Sequence, residues 1–404
     1  MASKIFCPDT DSVETIVRET AAALRRGELV VFPTETVYGL GVLASHTDAV
    51  RRLISAKGRR SGHALSVAIS GYSVLKRYAP NISPIGQRLA RRCWPGPITI
   101  VADTSTGDSQ IAQLPELCRQ AVMPNGTTGF RVPDQPIVLK ILQEVDEPVI
   151  LTSANLSGSP PAVCATDAQV GLGDSPDLIL DTGPAHFQVP STVVSVVAPG
   201  YKILRAGVLT EETIERLAAK IILFISAGNT GYGLMAVAIC AELLAKKLGC
   251  PIGDLQRRGY IVMSAEIPSG RKGDLPQTDR EVMTEPGIPF DGYQSQPLSD
   301  DLLRRADVIC VMDRSVFSGL PRLSAILDQD IARSGSKDTN RIVDQLPGYR
   351  KQDVVYCDRD VVCRDRVIVL EGITAPLGGC HTGYSRCAEE ISAVLTDKLD
   401  FLLS

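Results

Sequence analysis

Apolar residues fall in short runs along this chain, and several runs end abruptly in polar clusters. Residues 29–32 (LVVF) are apolar and rich in β-branched side chains, which predicts a buried strand. Pro33 cannot extend a ladder, so the strand ends there. Thr34, Glu35 and Thr36 follow, then Tyr38 and the glycines Gly39 and Gly41. Small donors at a strand's end, with glycine admitting a ligand to the backbone, suit a small-molecule site. A plain polar turn accounts for the same residues.

Upstream, Ser12 and Glu14 open a helix whose face is Val13, Ile16, Val17 and Leu24, and Gly27 stops it. Residues 49–56 read as a second helix that delivers Lys57 and Arg59 at its end. Residues 75–78 and 85–92 read as helical. Strands are expected at 65–69, 98–102, 129–132, 148–152, 178–180, 192–197 and 202–204. Residues 103–128 carry few signals and predict a long, mobile crossing. Helices alternate with strands, but several strands are close neighbours, so a mixed, twisted α/β sheet is expected. Residues 209–219 predict a joining helix, 221–225 a new strand, and 234–248 a helix after the glycine-rich SAGNTGYG. Strand, glycine-rich loop and helix is a layout that aims N–H groups at an anion.

Several strand ends carry chemistry. Lys57 and Arg59 suit a polyphosphate, as point charge and planar fork, or form a solvated basic helix end. Thr152, Ser153 and Asn155 end an apolar run and suit a nucleotide, or cap the next helix. Arg131 sits near the end of another strand and suits a carboxylate. Ser191 and Arg205 flank the last two strands.

A length of 404 residues points to two domains, and 44% apolar with 22% charged residues to an ordinary globular chain. A net charge of −4 gives no global pull toward nucleic acid. Eleven cysteines without a CxxC pair, and only four histidines, lack zinc-ligand spacing. With no apolar signal core in MASKIFCPDT, reduced cysteines in a cytoplasmic protein are expected. The apolar run 221–225 is too short to cross a bilayer, so no membrane partner is expected.

Seven segments occur in order: PTETVYGLG at 33–41, KGR at 57–59, WPGPIT at 94–99, RVP at 131–133, TSANLSG at 152–158, PSTVV at 190–194 and ILRAG at 203–207. Together they resemble the YrdC-like family of threonylcarbamoyl-AMP synthases over about residues 10–216. The resemblance implies a first domain at 1–216 with a twisted mixed sheet, and a reaction joining L-threonine, bicarbonate and ATP. Its products are threonylcarbamoyl-AMP and pyrophosphate. It implies that Lys57, Arg59, Ser153 and Asn155 bind ATP, with His63 and Ala154 beside them and Arg205 approaching the nucleotide. Lys57 and Arg59 take the catalytic role, and Thr34 or Thr36, Arg131, Thr152 and Ser191 hold L-threonine. Magnesium comes with ATP. The implied partner is a threonylcarbamoyl transferase complex acting on a tRNA adenosine, with a contact to RNA left open. Four positions depart from the pattern: Arg60 and Ala64 replace prolines, His63 a small polar residue, and Ala68 a histidine near the amino acid. These changes predict a more flexible loop and weaker threonine binding.

From about residue 220 to 400 the order of segments resembles the low-molecular-weight protein tyrosine phosphatases, implying a doubly wound parallel sheet in a second domain at 217–404. That family's nucleophilic cysteine falls on Ser226, its phosphate-binding arginine on Tyr232, and its general acid on Ala375 before Pro376. A phosphatase fold without phosphatase activity is expected. Cys380 and Arg386 meet the Cys-x5-Arg rule, but no apolar strand leads into Cys380. Two other readings stand beside the synthase: a non-catalytic nucleotide or double-stranded RNA binder, and an active tyrosine phosphatase.

Overall fold

The computed structural model describes residues 4–8, 11–58, 64–197, 199–227, 231–267, 295–312, 355–357, 360–362, 367–370, 373 and 381–403. It divides into two compact units, Met1–Ala218 and Ala219–Ser404.

In the first unit the strands are β1 (Lys4–Phe6), β2 (Val30–Phe32), β3 (Gly39–Leu43), β4 (Ser66–Ala68), β5 (Ile98–Asp103), β6 (Thr127–Arg131), β7 (Val149–Ser153), β8 (Leu178–Leu180), β9 (Thr192–Ser195) and β10 (Lys202–Arg205). The helices are α1 (Val13–Arg25), α2 (Thr47–Ala56), α3 (Leu75–Tyr78), α4 (Pro84–Cys93), α5 (Glu116–Val122), α6 (Pro136–Val145), α7 (Ala165–Leu172) and α8 (Glu211–Ala218). All ten strands join one mixed sheet in the order β1-β8-β2-β3-β7-β4-β6-β5-β9-β10.

The period of two along β2 sets the layers. Val30 and Phe32 enter a core with Ile16, Leu24, Ile137 and Ile141, beneath α1 and α6. Val31 faces the opposite core, with Leu53, Leu89 and Ile100. Helix α1 begins where Ser12 Oγ accepts from Thr15 N at 3.2 Å, and Gly27 leaves it at φ 80°. At the other end of the unit, Arg88 Nε donates to Ala218 O at 2.8 Å and Arg92 Nη1 to Leu217 O at 2.6 Å. Two α4 guanidinium groups therefore satisfy the last carbonyls of α8.

Three features differ from the sequence pattern. Residues 103–128 are not a bare crossing: α5 lies within them and buries Cys118 and Val122. That helix has seven residues and no side-chain cap, too little for a periodic signal. Beyond the turn at 33–38 the chain re-enters the sheet as β3, antiparallel to β2. A Cβ on Gly41 would meet Phe32 Cε2 at 2.9 Å, so this glycine serves sheet packing rather than ligand approach. Helices α6 and α7 have no counterpart in the pattern.

The second unit holds β11 (Lys220–Ala227), α9 (Tyr232–Leu248), β12 (Tyr260–Ile267), β13 (Gln296–Pro297), α10 (Asp300–Arg305), β14 (Val308–Val311), β15 (Val355–Cys357), β16 (Asp360–Val362), β17 (Val367–Val369) and α11 (His381–Leu403). Its main sheet has the order β13-β12-β11-β14-β17, and every pairing in it is parallel. Ile222 and Phe224 pack with Met235, Leu244, Ile391 and Leu395 of α9 and α11. Ile221, Leu223 and Ile225 pack on the other face with Leu303 and Ala306. Helices on both faces of a parallel sheet make this the doubly wound arrangement expected.

Candidate active site

The first unit contains a cavity of about 690 Å³ whose wall is built from strand ends. Thr34 follows β2, Gly39 opens β3, Ser66 opens β4, and Arg131, Ser153 and Arg205 close β6, β7 and β10. Ser191 precedes β9. The antiparallel register pairs Gly39 with Ser153 and Leu40 with Thr152. Gly39 has no room for a side chain, because a Cβ would sit 2.7 Å from Leu151 Cδ1. Gly129 keeps the floor open: a Cβ there would stand 3.2 Å from Thr99 Cγ2 and 3.6 Å from Ser66 Oγ.

Lys57 leaves the C-terminus of α2 and turns inward, 3% exposed. Its Nζ donates to Ser153 O at 2.5 Å and to the carbonyl of Asn155, with Asn155 Oδ1 at 3.4 Å. Ser157 N donates back to Lys57 O at 3.1 Å. Burying an ammonium costs several kcal/mol, and these acceptors offset it. The solvated basic helix end is thereby excluded for Lys57. Asn155 Nδ2 donates to Leu156 O at 2.9 Å and Ser159 O at 2.6 Å, which fixes the loop after β7.

Arg131 is 9% exposed. Its Nη2 donates to Glu35 Oε1 at 2.8 Å and Thr36 Oγ1 at 2.7 Å, and its Nε is buried without an acceptor. Thr34 Oγ1 donates to Val37 O at 2.6 Å and lies 2.9 Å from Thr36 Oγ1. Thr99 Oγ1 and Ser191 Oγ share a hydrogen bond of 2.9 Å. Arg205 Nη2 donates to Ser191 O at 2.7 Å and to its Oγ at 3.1 Å. Arg205 reaches the surface, yet partial burial and then the charge of Arg131 hold its pKa below the ordinary guanidinium value.

The cavity thus gathers Thr34, Lys57, Arg131, Thr152, Ser153, Asn155, Ser191 and Arg205. Thr36 is fully buried and supports Arg131 without reaching the wall. Ala154 is buried in the core, where its N–H donates to Tyr38 O at 2.8 Å. Arg59, Arg60 and His63 lie outside the described residues. Ala64 and Ala68 line the cavity. Four further serine and threonine hydroxyls, Ser66, Thr99, Ser157 and Ser159, went unassigned in the sequence. Thr99 is the threonine of WPGPIT, so its motif was visible but its role was not.

Among the described lining residues three are cationic and none is Asp, Glu, His or Cys. Such a site receives anions and positions them, with no built-in nucleophile. Nor is there a group of three metal-ligating side chains among the described residues. The wall does not fit a protein-held magnesium site, which would need carboxylates.

A family model described as Telomere recombination (Sua5, YciO and YrdC) matches residues 22–207, which covers this cavity and every strand of the sheet but β1. A putative threonylcarbamoyl-AMP synthase of Mycobacterium tuberculosis is 32% identical over 214 residues, 53% of this chain and 94% of the relative. The threonylcarbamoyl-AMP synthase of Mus musculus is 30% identical over 229 residues, 55% of this chain and 78% of the relative. That of Bacillus subtilis is 36% identical over 225 residues, 54% and 61%. Through its first unit, the chain belongs to the Sua5/YciO/YrdC family. Among solved structures, Pyrococcus abyssi Sua5 complexed with L-threonine is 23% identical with a TM-score of 0.48, covering 66% of this chain and 92% of that one.

A second model, Low molecular weight phosphotyrosine protein phosphatase, matches residues 221–333. A low molecular weight protein tyrosine phosphatase from Bacillus subtilis is 21% identical with a TM-score of 0.28, covering 45% of this chain and 97% of that one. Ser226 is the penultimate residue of β11, and it is 2% exposed. The positions aligned with the general acid, Ala375 and Pro376, lie outside the described residues, as does Cys380. The five residues HTGYS lie inside α11, and Arg386 Nε pairs with Glu390 Oε1 one turn later at 2.9 Å. Arg386 is a helical surface arginine and not the end of a phosphate loop. Among the described residues no helix is long and apolar enough to cross a membrane.

Proposed function

We propose that the first unit is an L-threonylcarbamoyladenylate synthase, a nucleotidyltransferase using L-threonine, bicarbonate and ATP. The observation that carries this reading is the convergence of Lys57, Arg131 and Arg205 with nine serine, threonine and asparagine side chains on one cavity, with no carboxylate among the described residues of its wall. Family membership and the synthase relatives support it. Arg131 meets the carboxylate of L-threonine, with Thr34, Thr152 and Ser191 around it. Lys57 and Arg205 face the nucleotide phosphates, with Ser153 and Asn155 beside them. The amine of threonine attacks bicarbonate, a C–N bond forms, and water leaves. The new carbamate oxygen then attacks the α-phosphorus, the α–β bridge breaks, and pyrophosphate departs. The protein's part is to position two anions and to stabilise charge that grows on the phosphates. The product then passes to a transferase complex acting on tRNA in the cytoplasm.

The test is pyrophosphate release from magnesium-ATP with and without L-threonine and bicarbonate, beside Arg59→Ala. Release that requires both substrates and falls in the variant is expected. Absence of release from folded protein, with salt-sensitive binding of double-stranded RNA, sinks the synthase and supports the binding module.

The second unit is proposed to keep a phosphatase fold without phosphatase activity. A serine hydroxyl at position 226 lacks the lowered pKa of a catalytic thiol, and Tyr232 stands where an arginine would fork phosphate. Aryl phosphate hydrolysis by the full chain is expected to stay at background. Ser226→Cys alone is expected to leave it there, because the arginine is still missing. Turnover by the unaltered chain, measured against this variant, overturns that reading.

A further inference from the structure

We infer that Glu35 is the positioning residue for the substrate carboxylate, acting through Arg131. This rests on the synthase reading, which puts the carboxylate of L-threonine on Arg131. Glu35 is 8% exposed and is not part of the cavity wall. Both its oxygens are committed: Oε1 accepts from Arg131 Nη2 at 2.8 Å, and Oε2 accepts from Asp134 N at 3.0 Å. Lying outside the wall, this carboxylate is not placed to take a proton from a substrate amine. It grips one end of the guanidinium instead.

That grip sets where the rest of the guanidinium points. Thr36 Oγ1 takes the same Nη2 at 2.7 Å, while Nε stays buried with no acceptor. One end of the fork is anchored in the protein, and Arg131 presents what remains of it to the cavity whose wall it lines. The backbone around Glu35 is braced as well, since Phe187 N donates to Glu35 O at 2.8 Å. Glu35 also has an electrostatic role. Partial burial first, and then the charge of Arg131, lower the pKa of Arg205, so two guanidinium groups act on each other at this cavity. The buried carboxylate behind Arg131 keeps that pair tolerable before substrate arrives. With Lys57, three cations at the wall and one buried anion beside Arg131 leave a net attraction for incoming anions.

The full chain is compared with Glu35→Gln, Arg131→Gln and the double variant. Glutamine keeps the shape of Glu35 but turns an N–H₂ or a neutral carbonyl toward Arg131. KM is measured separately for L-threonine and for ATP, and the Kd of L-threonine is taken by calorimetry. Glu35→Gln is expected to raise KM and Kd for L-threonine by about tenfold, with the KM for ATP within about twofold. In the Arg131→Gln background the same change is expected to add less than about twofold, since Glu35 then has nothing to aim. Glu35→Asp keeps the charge at shorter reach and falls between, and it serves if the glutamine variant does not fold.

Equal rises in both KM values, a loss confined to kcat, or a full Glu35 effect without Arg131 each overturns the inference. Pyrophosphate release by the unaltered chain is the separate test of the synthase reading. Threonine affinity reads the Glu35 effect without turnover, so the two failures are distinguishable.

Discussion

Lys57→Ala is expected to lower kcat/KM for ATP by about a hundredfold to a thousandfold, the range for removing one preorganised group that stabilises developing charge. The lysine is 3% exposed and its Nζ is held by the carbonyls of Ser153 and Asn155, so it is already in place before the nucleotide arrives. Its replacement removes the cation and also the donor that ties α2 to the loop after β7. The buried Asn155 carbonyl then loses this donor, which costs roughly 1–3 kcal/mol of stability, while Ser153 O keeps the N–H of Asn155 at 3.0 Å. Lys57→Met separates these effects, because it fills the space without the charge. Equal loss of turnover in both variants, with thermal unfolding little changed in Lys57→Met, assigns the loss to charge. Activity within about threefold of the unaltered chain in Lys57→Met removes the lysine from the phosphate site.

Gly207→Ala is expected to be the most damaging single methyl group in the first unit. A Cβ there would lie 2.4 Å from Pro190 O, 2.5 Å from Ser191 C and 2.5 Å from Thr192 N. All three are backbone atoms, so no rotamer change relieves the clash. Overpacking of this kind costs about 1–3 kcal/mol, and rigid neighbours put this site at or above the upper end. For a domain of this size that is a fall of roughly 5–10 °C in melting temperature. The shift displaces Ser191, whose carbonyl and hydroxyl hold Arg205, so threonine and ATP affinity are expected to weaken together. Differential scanning calorimetry and the pyrophosphate assay check both. A variant with unchanged melting temperature shows that the 190–192 backbone yields where this geometry says it cannot.

Much of the site was legible because each of its pieces ends a local pattern. An apolar run stopped by proline placed Thr34, and another running into TSAN placed Ser153 and Asn155. The last turn of a short amphipathic helix placed Lys57. What could not be read was adjacency across the sheet. Ser66 and Thr99 become neighbours only because β4, β6 and β5 lie side by side, with Gly129 between them. Glu35 looked like one more polar turn residue, and its partner lies 96 positions away. Helix α6 was hidden for a different reason. Ten largely apolar residues behind a proline read equally as strand or helix, and only packing of α6 on α1 decides between them. In the second unit the order of segments resembles the low-molecular-weight tyrosine phosphatases, and Ser226 and Tyr232 stand where that pattern has its cysteine and arginine.

The arginine clamp on α8 bears on how such a chain is assembled in evolution. Because Arg88 and Arg92 satisfy the carbonyls of Leu217 and Ala218 from within the first unit, that unit ends in a finished helix. The seam falls immediately afterwards, between Ala218 and Ala219. A gene fusion that replaces everything beyond the seam breaks none of these bonds. In this respect the first unit closes on its own residues at its C-terminal end.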